Sequence, residues 1–229
     1  MQRRMAQIGL GFVAFTSIAV ALWSERFLGV LFDLWVPVDA GIRQVIMHFP
    51  FRALTHMVVA PLALLIGPFQ FIPSLRARAP RLHRYAGRLY VASCVIAGIA
   101  GFATALHASG GPVAGWGFGT LAVLWVATTV AGWRAAVQRR FELHRLLMRL
   151  SYAMSFGAVT LRLQIPIGFA LGYSSYSGMS VWLAYTSWIP NVAAVLIYSA
   201  IKGPVTELLW RRPAASAHRT IEVGRRASA

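Results

Sequence analysis

The amino-acid sequence predicts an all-α, polytopic membrane helix bundle with about six transmembrane helices. The chain of 229 residues is 58% hydrophobic and only 12% charged. Its mean hydropathy of +0.62 is too high for the surface of a water-soluble domain of this size. Six apolar runs are each long enough, at about 20 residues, to cross the hydrocarbon core of a bilayer. Most of the cations between these runs fall on one side of the implied membrane, which is typical of polytopic membrane proteins.

The six predicted spans define the organisation of the chain. No small-residue cleavage site follows the first of them, so we expect it to be a retained anchor. The spans cover residues 7–23, 53–72, 85–106, 113–133, 146–171 and 181–201. The expected parts of the chain are an N-terminal anchor with an interfacial segment (1–52), a five-helix membrane core (53–202) and a cytoplasmic basic tail (203–229).

The interfacial segment is predicted by its mixed composition. Residues 27–51 combine Asp33, Asp39 and Arg43 with apolar side chains. A helix with both kinds of side chain lies in the headgroup region more readily than it crosses the bilayer. We therefore expect this segment to rest on the membrane surface rather than to form a seventh span.

The distribution of Lys and Arg predicts the orientation of the chain. If the chain crosses the membrane at each predicted span, eighteen of its 22 Lys and Arg residues lie on the same side. Cationic loops resist translocation, so this side is expected to be the cytoplasm, with both termini there, in a bacterial inner membrane. The net charge of +16 then predicts contact with membrane lipids, especially anionic headgroups on the cytoplasmic side, and no nucleic-acid partner.

A duplicated motif stands at the cytoplasmic start of the third and fifth spans. Leu82-His83-Arg84-x-x-x-Arg88-Leu89 recurs 61 residues later as Leu143-His144-Arg145-x-x-x-Arg149-Leu150. Each copy leads into an outward-going helix and a returning one, which suggests parallel two-helix repeats. The arginines of each copy are spaced i,i+4 and therefore share a helix face. They are candidates to bind phosphate, carboxylate or the propionates of a cofactor. The alternative is that they only anchor the helices to lipid headgroups.

Four histidines are candidate ligands of haem iron. His56 and His107 are expected near the outer side of the membrane, and His83 and His144 near the inner side. Two imidazoles on neighbouring helices can hold a haem b, so the two pairs predict up to two such sites. The alternative is that these histidines cap helices or contact headgroups.

Among the residues of the predicted spans, Arg162 would cost the most free energy if its side chain were exposed to lipid. An arginine at this depth costs about 2.5 kcal/mol or more if it faces lipid, so we expect it to face the interior of the bundle. Pro166 removes the hydrogen bond to the Arg162 carbonyl and predicts a kink. With Gln164 and His56, Arg162 predicts a polar pocket in the outer half for a quinone, an anion or a haem propionate. The alternative is that it reaches outward to a lipid phosphate.

Gly67 and Pro68 predict a helix break at the inner end of the second span. Gln70 follows the break and Arg76 lies six residues further on, so both are candidates for the inner site.

Several classes of protein are not supported by the sequence. The six carboxylates, among them Asp39 and Glu142, all lie outside the predicted spans or at their edges, which argues against a carboxylate-driven pump. Cys94 is the single cysteine, so no internal disulfide and no multi-cysteine metal cluster is expected. No set of nucleophile, base and acid is evident, so an independent enzyme is not expected.

The chain resembles the prokaryotic membrane family catalogued as domain of unknown function 2306. The likeness covers about residues 53–166 and rests on an ordered set of motifs: His56, Gly67-Pro68-x-Gln70-Phe71, Arg76, His83-Arg84-x-x-Gly87-Arg88-x-Tyr90, Gly117-Phe118, Trp125, Thr128-Thr129 and His144-Arg145-x-x-Met148-Arg149. The resemblance implies a membrane protein and singles out His56, Gln70, Arg76, His83, Arg84, Arg88, His144, Arg145, Arg149 and Arg162. His107 is not among these residues.

Two functional hypotheses follow from these residues. The first is a small redox-associated subunit, at most an electron-transfer subunit of a larger membrane complex, that binds haem b or a quinone between its helices. The second is a non-redox membrane module, either a transporter or channel for a small anion or a structural subunit of a complex.

Overall fold

The structure is a computed structural model that describes residues 2–24, 28–31 and 39–202. Within these ranges the chain forms ten helices and no strand, so the prediction of an all-α class is confirmed. The helices are α1 (Gln2–Ser24), α2 (Leu28–Leu31), α3 (Ala40–His48), α4 (Pro50–Gln70), α5 (Pro73–Arg78), α6 (Pro80–Ala105), α7 (Gly111–Val137), α8 (Phe141–Ala170), α9 (Tyr176–Thr186) and α10 (Ile189–Lys202).

Six stretches of the described chain are long and apolar enough to cross a membrane, which confirms the predicted number of spans. They are Gln7–Ser24, Pro50–Gln70, Pro80–Ala105, Gly111–Val137, Phe141–Ala170 and Tyr176–Ile201. Their outward faces carry exposed large apolar side chains such as Phe15, Ile99, Leu163 and Ile197. Such surfaces are stable against lipid and not against water.

The segment between the first two spans contains the short helix α3. Its nine residues rise only about 13 Å, too little to cross the hydrocarbon core. Asp39 caps it by accepting a hydrogen bond from the backbone N–H of Gly41, at 2.9 Å. Asp33 and the basic tail 203–229 lie outside the described residues.

Five helices form a closed circuit of contacts around a common centre. Helix α4 packs on α6, α6 on α7, and α7 on α8, while α1 closes the circuit by contacting both α4 and α8. Helix α9 packs on α7, and α10 on α8. The short connections make neighbouring helices antiparallel, so the starts of α6 and α8 lie at the same end of the bundle as the end of α7.

The core of the bundle is built from aromatic rings packed against small residues. Tyr90, Cys94, Trp125 and Tyr152 are all buried in it. Gly67 lies against the ring of Tyr152, which a Cβ at this position would overlap. The predicted helix break at Gly67 and Pro68 is wrong, because α4 continues through Pro68 and ends at Gln70. The glycine serves the close approach of α4 to α8 instead.

The sixth span is divided into α9 and α10 at Ser187 and Trp188, a feature that the sequence prediction did not include. Pro190 is the physical reason, because proline cannot donate a hydrogen bond to the carbonyl four residues earlier. That carbonyl, on Thr186, accepts instead from the Gln164 side chain at 3.2 Å. Helix α8, in contrast, runs without a break through Pro166.

Candidate functional site

The two ends of the bundle differ sharply in charge. We call the end that carries the start of α6 and α8 the basic face, and the other end the opposite face. In the described part of the chain, the basic face between α5 and the first turns of α8 has ten arginines: Arg76, Arg78, Arg81, Arg84, Arg88, Arg134, Arg139, Arg140, Arg145 and Arg149.

A cavity of about 340 Å³ occupies the centre of the bundle toward the opposite face. We call it the central cavity. It lies between α4, α6, α7 and α8, and Ile42 and Val45 of α3 border it. Its volume is within the range of small-molecule sites. Its walls are mainly apolar, with polar groups from Ser24, His56, Arg162, Tyr176 and Ser187.

His56 is held in a fixed orientation in the wall of this cavity. Its Nδ1 lies 2.8 Å from the backbone carbonyl of Ala97 on α6. Because a carbonyl only accepts, Nδ1 must carry the proton, and Nε2 of the neutral ring is then an acceptor. The ring packs against Gly101, where a Cβ would lie 2.7 Å from Nδ1. Glycine at position 101 therefore makes room for the imidazole.

Arg162 joins α8 to α1 beside the same cavity. Its guanidinium donates to the carbonyl of Ala158 at 3.0 Å and to Oγ of Ser24 at 2.8 Å. The Ser24 hydroxyl in turn donates to the carbonyl of Val20 at 2.8 Å. Arg162 also interacts electrostatically with His56. The structure thus brings together these two residues, which are 106 positions apart in the sequence.

Asp39 and Tyr176 close the cavity at the opposite face. While one oxygen of Asp39 caps α3, the other accepts from the backbone N–H of Tyr176 at 3.2 Å. The carboxylate therefore ties the first turn of α3 to the first turn of α9. The sequence analysis did not include either residue in the site. An aspartate directly before a helix is a capping signal that predicts its local role, but nothing local predicts its contact with α9.

A cluster of buried hydroxyl groups forms the floor of the cavity. Trp125 donates from Nε1 to Oγ of Ser155 at 3.0 Å. The hydroxyl of Tyr90 lies 2.8 Å from that of Ser151 and 3.3 Å from that of Ser155. Thr129 adds a contact of 2.6 Å with Ser151. We call Tyr90, Trp125, Thr129, Ser151 and Ser155 the hydroxyl cluster, and it separates the cavity from the basic face.

The two histidines of the duplicated motif lie near one another at the basic face. His83 interacts electrostatically with His144, Arg76 and Arg84. His144 is oriented by a contact of 2.9 Å between its Nδ1 and the carbonyl of Gly132 on α7. Nδ1 of His83 is buried, as is Nε2 of Gln70, and neither has a hydrogen-bond partner among the described residues.

The other arginines of the motif do not converge on one point. Arg88 lies over the ring of Tyr85, with 5.6 Å between guanidinium and ring centre, and Arg149 lies 5.9 Å from the ring centre of Tyr198. Arg145 forms an ion pair with Glu142. The i,i+4 spacing correctly predicts that the two arginines of each motif share one face of their helix. The groups that these arginines contact differ from one arginine to the next.

His107 is at a different depth from His56. Its ring packs on Phe49, with ring centres 4.5 Å apart. His56 lies at the level of Gly101, which precedes His107 by six residues, or about 9 Å along the helix axis. Both imidazoles border the central cavity, one in its wall and one at its end.

These features define a polytopic α-helical membrane protein whose spans enclose a mainly apolar cavity with a few polar groups. Residues 53–198 match the family described as Predicted membrane protein (DUF2306), and the chain belongs to this family. The matched region contains most of α4, every helix from α5 to α9 and most of α10. Comparison with curated proteins and with solved structures gives no match.

Proposed function

We propose that this protein is a small redox-associated membrane subunit that binds a quinone or quinol head group in the central cavity. The observation that carries the proposal is the position of His56 and Arg162 in an apolar-walled cavity between the spans. A ligand pocket of this kind combines mainly apolar walls with a few fixed polar groups. A quinone has the matching chemistry, because it is a flat apolar ring with two oxygens at its ends.

His56 is suited to the reduced form of such a ligand. With Nδ1–H donated to Ala97, Nε2 offers a lone pair that a quinol hydroxyl can donate to. Arg162 supplies positive charge and N–H donors at the cavity wall, which favour the oxygen of the bound ring. In this role Nε2 of His56 would accept one of the two protons that a quinol releases on oxidation, while the second proton would pass to solvent and the two electrons to an electron-accepting subunit of the membrane complex.

Haem b is the second form of the redox proposal. A ligating imidazole usually donates its other nitrogen to a carbonyl or carboxylate, as His56 and His144 do. The inner pair is compatible with this form, since His83 and His144 interact electrostatically at the basic face. The outer pair gives it less support, because His56 bonds to Ala97 while the ring of His107 packs on Phe49.

The orientation and location belong to the same proposal. We place the basic face in the cytoplasm of a bacterial cell and both termini on that side of the inner membrane, because the ten arginines of that face would otherwise have to be translocated. A quinol in the central cavity would then be oxidised near the outer leaflet.

The proposal is tested by measuring ligands in the purified protein. Solvent extraction followed by mass spectrometry gives the amount of quinone per chain, and the absorption spectrum gives the amount of haem. Binding of a short-chain quinol is then compared between wild type, His56→Gln and His48→Gln. His48 is a matched control, because it is exposed, its Nδ1 lies 2.9 Å from the carbonyl of Gln44 on its own helix, and it does not border the central cavity.

We expect His56→Gln to weaken quinol binding at least about tenfold, equivalent to about 1.4 kcal/mol, and His48→Gln to leave it unchanged. A stoichiometric haem with a Soret band would replace the quinone form by the haem form. A protein that holds neither ligand and binds no added quinol would contradict the redox proposal and leave the small-anion module.

A further inference from the structure

The basic face has far more hydrogen-bond donors than acceptors. From α5 to the first turns of α8, the ten arginines of this face are accompanied by one carboxylate, Glu142, and this is paired with Arg145. Each guanidinium has five N–H donors and no acceptor. Carboxylates of the described chain therefore cannot satisfy this face, and the acceptors must come from backbone carbonyls, solvent or a bound anion.

The shortage of hydrogen-bond acceptors on the basic face is greatest around His83. Nε2 of Gln70 is buried and can only donate, yet it has no acceptor among the described residues. Nδ1 of His83 is buried and also has no partner among the described residues. A buried polar atom that is left unpaired destabilises the fold. Arg76 and Arg84, the two arginines that interact electrostatically with His83, add donors rather than acceptors.

The two copies of the duplicated motif differ at one informative position. In the second copy, Glu142 neutralises Arg145. The equivalent position in the first copy, 61 residues earlier, is Arg81. Arg84 therefore lacks the internal carboxylate that neutralises Arg145 in the second copy.

We propose that Gln70, Arg76, His83, Arg84 and His144 form a binding site for the phosphate group of an anionic ligand. We call this set the inner mouth. A phosphate offers several acceptor oxygens and negative charge to donors that come from α4, α5 and α6, beside His144 of α8. Gln70 lies against α6 at this point, since a Cβ at Gly87 would be in ordinary contact with its Oε1, at 3.4 Å.

The inner mouth is independent of the proposed quinone site. The hydroxyl cluster lies between them, and none of the five residues borders the central cavity. The phosphate can belong to an anionic lipid headgroup or to a soluble compound. His83 and His144 each lie in the first turn of a span, at headgroup depth, where either source has access.

The sole cysteine provides the readout that tests this site. Cys94 is fully buried, so a thiol-reactive fluorogenic dye reports its exposure when the purified full-length chain unfolds on heating. One arm adds inorganic phosphate against chloride at constant ionic strength. The other adds short-chain phosphatidylglycerol against short-chain phosphatidylcholine. A ligand that binds the folded state raises the unfolding midpoint by mass action.

We expect wild type to be stabilised in at least one arm. The apparent dissociation constant should rise at least tenfold in Arg84→Gln and in His83→Gln, and less than twofold in Arg81→Gln. Arg81 is the matched control, because it lies on the same face three residues before Arg84 and is exposed. Stabilisation by phosphate identifies a soluble ligand, and stabilisation by phosphatidylglycerol alone identifies a lipid. No stabilisation of wild type, or equal losses in Arg81→Gln and Arg84→Gln, would overturn the proposal.

The variant Gln70→Glu tests the inner mouth independently if the other variants fail to fold. This substitution supplies an internal carboxylate to Arg76 and His83 in place of the ligand. The midpoint without ligand should stay level or rise, and stabilisation by the added phosphate or lipid should disappear. A Gln70→Glu variant that is stabilised as strongly as wild type would contradict the site.

Discussion

The central cavity and the inner mouth both contain histidine and arginine, but they satisfy these side chains differently. In the cavity the chain itself supplies the partners, since His56 bonds to Ala97 and Arg162 to Ser24 and Ala158. In the inner mouth, Gln70 and His83 keep buried nitrogen atoms without partners among the described residues. On the proposals made above, the first site is preorganised for a small, largely apolar ligand, and the second gains its missing acceptors from a bound anion.

The largest predicted effect concerns the side of the membrane on which each site lies. A reporter fused after Ser109 should be active only in the periplasm, and one fused after Arg139 only in the cytoplasm, because cationic loops resist translocation. The measurement is a paired alkaline phosphatase and fluorescent-protein assay at both positions. The reverse result would exchange the two sites between the leaflets.

A substitution at Gly101 should impair ligand binding in the central cavity and leave ligand binding at the inner mouth unchanged. Gly101→Val introduces a side chain whose Cβ overlaps the imidazole of His56, so His56 must leave Ala97. We expect quinol binding to weaken more than tenfold while phosphate binding at the inner mouth is unchanged. Ala92→Val, at an exposed position of the same helix, is the control. Equal losses of both activities in Gly101→Val would indicate general unfolding.

The hydrogen bond between Arg162 and Ser24 beside the central cavity should contribute to the stability of the folded protein. Ser24→Ala removes one of the acceptors of the Arg162 guanidinium and should lower the free energy of unfolding by about 1.5–3 kcal/mol, the value of a hydrogen bond to a charged group. Thr16→Ala on the same helix removes a hydroxyl that bonds only to its own helix and should have a smaller effect. The thermal midpoint measured through Cys94 compares the two. A neutral Ser24→Ala would show that Arg162 has an alternative partner of equal value.

The smallest predicted effect lies on the basic face. Arg139 has φ of +59°, a left-handed conformation that favours glycine. Arg139→Gly should therefore raise the stability by about 0.5–1 kcal/mol, the typical gain from removing such strain. Arg139→Ala, which keeps the Cβ, should not. Because Arg139 is outside the inner mouth, phosphate affinity should be unchanged, and a large loss would indicate that total charge governs binding.

Hydropathy predicted the membrane spans because a helix in lipid has to be apolar over its whole length. It did not predict the division of the sixth span, since Pro190 leaves the mean hydropathy high while it removes one backbone hydrogen bond. The break expected at Gly67 was wrong for a related reason. Glycine can interrupt a helix or let another helix approach, and only the position of Tyr152 decides between these roles.

The candidate sites were predictable to different degrees. The repeated motif indicated that His83 and His144 have matching depths, and the structure places them near each other. The contact between Arg162 and Ser24 joins helices whose order around the bundle is not encoded locally. The same holds for Asp39 and Tyr176, which are separated by 137 positions. Such contacts depend on tertiary packing, which periodicity and composition do not describe.

The contact between Tyr90 and Ser151 joins equivalent positions of the repeated sequence that carry different side chains. The two residues occupy equivalent positions of the two repeats, as do His83 and His144. In a symmetric dimer of a single helix pair, every residue on the axis would have to face its own copy. A single chain that contains both repeats is free of this constraint. It can set a large phenol against a small hydroxyl, and it can carry Glu142 in one copy of the motif where the other copy has Arg81.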